Sequence, residues 1–155
     1  MTLIAIGIKA APKEILYVVI KKTEARLDLL TPSKLIVPVS LTVPEKLSFI
    51  RKAFKDIIAE FQCNRAGIRV TEDLADPNPD RLSYEAVIQE LIASSSVEKY
   101  LIGKISTMCS RLGIERDAYK PMVKQGATIE PIAGFNTFNA GCKEAILVGL
   151  ASLAL

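Results

Sequence analysis

The order of its apolar runs constrains this chain more than any other feature. Leu3–Ile8 and Glu14–Lys21 are rich in β-branched residues and are separated by the turn-like Ala10-Ala11-Pro12-Lys13, so both predict strands. Lys34–Leu41 predicts a third strand, placed at an edge or a bulge by Pro38, which has no N–H to give to a ladder. Helical periodicity begins only after these. Thr42 and Glu45 have capping-box spacing, and Leu47, Ile50, Phe54, Ile57, Ile58 and Phe61 recur as one apolar stripe. From there helices and strands alternate. A strand is predicted over Ala66–Thr71 and a loop with Pro77 and Pro79 over Asp73–Asp80. A helix follows over Ser83–Ala93, with Ala86, Val87, Glu90 and Leu91 on a mixed face, then a strand over Val97–Ile102. Lys104–Leu112 predicts a helix ending at Gly113, and Arg116–Gln125 a further short one. Gly126–Asn139 is irregular, and Asn139 caps a last helix in which Ile146, Gly149, Leu150 and Leu153 share a face.

Strands joined by short turns pair antiparallel, whereas strands reached through helices add in parallel. The order therefore predicts one α/β domain over residues 1–155: a mixed five-stranded sheet, three strands antiparallel and two parallel, flanked by helices. A chain of 155 residues that is 50% hydrophobic buries a core without disulfides or metal. Cys63, Cys109 and Cys142 are odd in number and lack C-x-x-C spacing, which predicts reduced, mostly buried thiols and a cytoplasmic setting. The N-terminal apolar stretch has no basic region before it, and Ala145–Leu155 falls short of the ~20 residues of a membrane span; no membrane is expected. Histidine is absent, which removes the commonest general base and metal ligand. A net charge of +3 permits a nucleic-acid partner without demanding one.

Several segments, in order, carry a resemblance to a known family. Ile4-Ala5-Ile6-Gly7-Ile8-Lys9 is similar to a first strand of the pattern apolar-Gly-Ile-Asp. Ile68–Glu72 is similar to a strand ending in an acid, and Arg81-Leu82-Ser83-Tyr84-Glu85-Ala86 to the start of the helix after it. Tyr100–Val123 resembles a strand, short helix, glycine turn and lysine-containing helix. Asn139–Leu150 resembles a closing helix in which acids sit three residues apart before an alanine-rich face. Together these resemble the RuvC-type Holliday-junction resolvases of the RNase H-like superfamily, over most of the chain. The resemblance implies the RNase H-like fold and a carboxylate site holding two divalent cations ~3.5–4 Å apart on the scissile phosphate. Of its four acidic positions, the first strand here has Lys9, the fourth strand keeps Glu72, and the last helix has Gly141 and then Glu144.

Glu72, Glu144 and Asp73 are thus vestigial catalytic candidates, and no metal is expected; if one binds, Glu72 and Glu144 are its ligands and magnesium the ion. The plainer reading of Lys9 is a lysine paired with Glu72 or Glu144; the sharper one is a phosphate-binding lysine in a vestigial groove. Arg69 by default pairs with a nearby acid, Glu144 is by default a solvated helix charge, and Glu72 and Asp73 are by default turn residues. Lys46, Arg51, Lys52 and Lys55 read as a solvated face. Lys104, Arg111, Arg116, Lys120 and Lys124 lie where the resemblance places nucleic-acid contacts. Phe135 and Phe138 are read as buried against the last helix, with base stacking the alternative. The leading functional reading is an inactive nuclease relative that binds nucleic acid or protein. A metal-dependent nuclease with a rearranged site of Glu72, Asp73, Glu144 and Asp76 is the first alternative. The second is a homodimeric structural protein that meets its copy through the last helix and the Phe135/Phe138 loop.

Overall fold

The structure, a computed structural model, describes residues 1–30, 32–125 and 132–155. Its elements run β1 (Leu3–Ala10), β2 (Glu14–Lys22), β3 (Leu27–Leu29), β4 (Ser33–Ile36), α1 (Val43–Phe61), β5 (Arg65–Arg69), α2 (Pro79–Ser94), β6 (Lys99–Gly103), α3 (Ile105–Leu112), α4 (Arg116–Lys124) and α5 (Ala140–Leu153), with a 3-10 turn at Phe135–Thr137. One sheet has the order β3-β2-β1-β5-β6, with β4 also on β2. β1 pairs antiparallel with β2 and parallel with β5, and β5 pairs parallel with β6.

The mixed sheet flanked by helices is the one the element order predicts, with a correction at its outer edge. The predicted third strand is two short ones: β3 lies against Ile20–Lys22 and β4 against Glu14–Tyr17, both on the same side of β2. Strand pairing ends at Ile36 rather than Leu41. The Val37 N–H still bonds Lys13 O, and Pro38, with no N–H, follows directly. The helix placed over Ser83–Ala93 begins earlier, at Pro79, because Asn78 caps the Arg81 N–H and proline suits a first helical position. Its buried face is Tyr84, Glu85, Ile88, Leu91 and Ile92; of the mixed face expected, Leu91 is buried, Val87 is half-buried, and Ala86 and Glu90 are exposed. In α1 the capping box of Thr42 and Glu45 is formed, and Ile50, Phe54 and Ile58 of the predicted stripe are buried. Gly113 ends α3 in the left-handed region and Asn139 caps α5 through the Cys142 N–H. The irregular stretch predicted over Gly126–Asn139 lies partly outside the described residues.

The sheet separates two cores. Ile6, Ile8, Ala10, Ile15, Val19 and Ile68 face α1 and α2. Ala5, Val18, Ile20 and Leu101 face α5, which α3 and α4 cover in turn. α5 is buried along nearly its whole length, so its apolar character extends all round rather than on the single predicted face. Two glycines let it lie close to the sheet. A Cβ at Gly7 would sit 2.0 Å from Ala145 O, and one at Gly67 2.3 Å from Val148 O. Gly7 and Gly67 are themselves cross-strand partners, so β1 and β5 together offer α5 a seat without side chains.

Candidate functional site

The period of two that puts Gly7 and Gly67 on the α5 face puts Lys9 and Arg69 there too. They are the next cross-strand pair in the register, at the ends of β1 and β5. Two like charges directly opposite one another on a sheet repel, and α5 supplies the compensation. Lys9 Nζ lies 3.5 Å from Glu144 Oε2, and Arg69 Nε donates to Glu144 Oε1 at 3.1 Å. The Tyr119 hydroxyl of α4 donates to the same Oε1 at 2.9 Å, and the Arg69 guanidinium lies over the Tyr119 ring, 5.8 Å from its centroid. On its other side Arg69 Nη1 donates to Glu72 Oε2 at 2.9 Å and to the Val70 and Gly103 carbonyls. That same Glu72 oxygen accepts the Ile105 N–H at 3.2 Å, which caps the start of α3.

These groups are withdrawn from water: the side chains of Arg69, Lys9 and Glu144 are 7%, 13% and 15% exposed. Burial raises the Glu144 carboxyl, but Lys9, Arg69 and the Tyr119 hydrogen bond outweigh it, leaving Glu144 below the ordinary carboxylate value. Burial lowers the Lys9 ammonium, and the charges of Arg81 and Arg69 lower it further against the pull of Glu144. The two directions are consistent, because one carboxylate is shared by several cations. Burial, and then the nearby Glu144, push Tyr119 up, so it stays a neutral donor.

A second cluster adjoins the first. Glu85 of α2, 3% exposed, accepts the Thr71 N–H at 3.0 Å, the Thr71 hydroxyl at 2.9 Å and Arg81 Nε at 2.6 Å. Arg81 Nη2 is buried without a hydrogen-bond partner among the described residues. Asp73, 80% exposed, pairs with Lys104, which precedes α3.

Of the predicted site residues, the fold thus brings Lys9, Glu72 and Glu144 to one end of the sheet and leaves Asp73 at its rim. Of the two acids offered to Lys9, Glu144 is the one it meets. Glu144 is not the solvated helix charge expected by default: α5 runs inside the domain, so its first turns face β1 and β5. Gly141 lies under β2, where a Cβ would come 2.2 Å from Leu16 Cδ1. Asp76 is exposed on the loop before α2. In the basic set, Arg111, Arg116, Lys120 and Lys124 are exposed on α3 and α4, and Lys104 is the member tied to an acid. Arg51 and Lys52 of α1 pair with Glu90 and Asp56. Phe135 is fully buried, with the Lys143 ammonium 5.7 Å from its ring centroid. Sequence reading missed Tyr119, Arg81 and Glu85. The i,i+4 spacing of Arg81 and Glu85 was a usable signal; a lone tyrosine on a short helix gave none.

The antiparallel meander continued by parallel strands, with α5 against one face and α1 and α2 against the other, is the RNase H-like α/β fold. Among solved structures the chain is similar to RuvC from Thermus thermophilus, with a TM-score of 0.68, 12% identity, and 98% of this chain and 94% of that one covered. It is similar at a TM-score of 0.65 and 13% identity to T. thermophilus RuvC in complex with a Holliday junction substrate, with the same coverage. With the fowlpox virus resolvase in complex with substrate Holliday junction DNA the TM-score is 0.50 at 9% identity, covering 96% of this chain and 95% of that one. No protein-family model and no curated protein sequence matches the chain. Likeness at such identities is likeness of fold. Among the described residues, no helix is long and apolar enough to cross a membrane, and Cys63, Cys109 and Cys142 are buried free thiols.

Proposed function

We propose that this protein is a nucleic-acid-binding relative of the resolvases that does not cut its ligand. One observation carries the reading: the carboxylates left at the strand ends are engaged by the protein's own cations, with Arg69 bridging Glu72 and Glu144 and Lys9 on the far side of Glu144. A pair of divalent ions needs converging, uncompensated oxygen ligands. These residues do not fit such a pair. An ion near Glu144 would meet the Lys9 ammonium and the Arg69 guanidinium at short range, and among the described residues no cluster of three or more acidic or thiol side chains could hold a metal. Nucleic-acid binding is favoured over protein binding by the charge on α3 and α4. There Arg116 and Lys120 flank a concavity of about 210 Å³ beside Ile105 and Asp117, next to the helix end that Glu72 caps.

The test adds magnesium or manganese to the wild type and to Glu72→Ala, following both the melting temperature and the cleavage of branched, duplex and single-stranded DNA and RNA. Neither metal is expected to shift the melting temperature, and no substrate to be cut. Binding of branched or duplex DNA is expected, weakened in Arg116→Glu/Lys120→Glu and falling with salt. Stabilisation by metal together with cleavage that disappears in Glu72→Ala would overturn the non-cutting half of the proposal. Failure to bind any of the nucleic acids would overturn the other half.

A further inference from the structure

Helices cover both faces of the sheet, but at β6 the sheet ends without a neighbour. The Val70 N–H bonds Gly103 O, so Gly103 turns its backbone toward β5. By the period of two, Leu101 and Lys99 do the same. The N–H and C=O groups of Tyr100 and Ile102 therefore point away from β5. β6 closes the strand order, and among the described residues no turn, loop or helix end bonds those outward groups. The opposite edge is blunted: it is divided into strands of three and four residues, and Pro38 follows soon after Ile36. β6 is a continuous strand of five residues with neither proline nor bulge.

A concavity of about 340 Å³ lies along this edge, lined by Lys99, Tyr100, Arg111 and Leu155. Its lining comes from both faces of the sheet. Tyr100 shares a face with Ile102, on the side of α1 and α2. Lys99 shares a face with Leu101, on the side of α5, where Arg111 stands on α3 and Leu155 follows α5. A hollow lined from both sides of a terminal strand runs along its free edge, where an added strand would lie. The two faces differ in chemistry, and the difference specifies the occupant. On the α5 side Lys99 and Arg111 are exposed and, among the described residues, in no ion pair; Glu98, the acid just before β6, is held by Arg65. On the other side Tyr100 is 47% exposed and Ile102 is half-buried. An added strand sends alternate side chains to the two faces. Acids at every second position would meet Lys99 and Arg111, and apolar residues between them would meet Tyr100 and Ile102. A second copy of this chain does not suit, because its β6 laid alongside would bring two more cations to the same edge. We propose that β6 takes up an extended segment of another protein, alternating acidic and apolar residues, as a further strand of the sheet. This site lies apart from Arg116 and Lys120 and does not depend on nucleic-acid binding.

The probe is a short fluorescein-labelled peptide alternating Glu and Val, followed by anisotropy. Wild type is expected to bind it and not its Lys/Val counterpart. Two further peptides carry N-methyl groups on every Val or on every Glu. A strand donates to a given neighbour from alternate residues, so one methylated peptide should bind like the parent and the other should not. Tyr100→Pro removes an N–H that β5 does not use, and should weaken binding by about tenfold or more because a peptide carbonyl is left unpaired. Arg111→Glu should weaken it several-fold and flatten its dependence on salt. Melting temperatures will verify that both variants fold; should Tyr100→Pro unfold, the methylated peptides on wild type still decide. No binding of the Glu/Val peptide, or undiminished binding in Arg111→Glu, would overturn the proposal. So would equal binding of the two methylated peptides, and displacement of both by duplex DNA would then give this edge to nucleic acid instead.

Discussion

Neutralising Glu144 should cost this protein a large part of its stability, and the structure says why. Lys9 and Arg69 are cross-strand neighbours with side chains 13% and 7% exposed, and Glu144 is the acid that touches both. In Glu144→Gln the shape is kept and the charge removed. Lys9 then has no anion within ion-pair distance among the described residues, and Arg69 keeps Glu72 alone. Removing one partner from a buried pair typically costs 3–5 kcal/mol, because the remaining charge stays buried without compensation. The Glu72 contact places this case near the lower bound, at about 3 kcal/mol. For a chain of this size that corresponds to a fall in melting temperature of about 6–12 °C. Lys9→Met should cost much less, since Glu144 retains Arg69 and Tyr119. The double variant Lys9→Met/Glu144→Gln should recover part of the Glu144→Gln loss, with a coupling of about 1–2 kcal/mol. The assay is thermal and urea unfolding of the four proteins at pH 7. A Glu144→Gln variant within about 0.5 kcal/mol of wild type, or a double variant equal to the sum of the singles, would refute the claim that these charges hold the strand ends together.

Two further outcomes follow from the same geometry. Glu144 titrates below its unfolded value, so its contribution is fully present above about pH 4.5 and is lost as pH falls through the lower folded value; acid unfolding below about pH 4.5 should therefore be steeper in wild type than in Glu144→Gln. Gly7→Ala should destabilise by more than the ~1–3 kcal/mol of ordinary overpacking, because the new methyl meets backbone atoms, Ala145 O at 2.0 Å and Gly149 N at 2.9 Å, which cannot rotate away; equal melting temperatures for Gly7→Ala and wild type would show that α5 shifts freely on the sheet.

The fold was legible because its signals are local and repeated. Strand order, the Thr42 and Asn139 caps and the Gly113 stop can each be read from a few adjacent residues. The divided edge strand was not, since Leu27–Leu29 is short and its pairing with Ile20–Lys22 depends on a turn whose chemistry does not stand out in the sequence. The site was half legible. Lys9, Glu72 and Glu144 could be placed, but their pairing could not, because it depends on the β1–β5 register and on the depth of α5. A cue was nevertheless present in Gly7-Ile8-Lys9 and Gly67-Ile68-Arg69. Each strand carries a glycine with a cation two residues later, and in register these make a helix seat ending in two adjacent positive charges. Tyr119 became visible only once α4 was packed on α5.

That pattern bears on how acids at the strand ends of an RNase H-like fold are read. The sequence resemblance puts Glu72 and Glu144 where a resolvase would want carboxylates, and that invites a reading of nuclease activity. Each has another sufficient reason to be there. Glu144 compensates two cations that the sheet forces side by side, and Glu72 compensates one of them while capping α3 through the Ile105 N–H. With Lys9 and Arg69 at the strand ends, losing Glu144 would leave Lys9 a buried charge without an acid, and losing Glu72 would leave Arg69 with Glu144 alone, so stability by itself gives both acids a role. Counting carboxylates therefore does not discriminate a metal site from an ion-pair network. The charge facing each carboxylate does, and in this protein it is positive, covalently fixed and already in place.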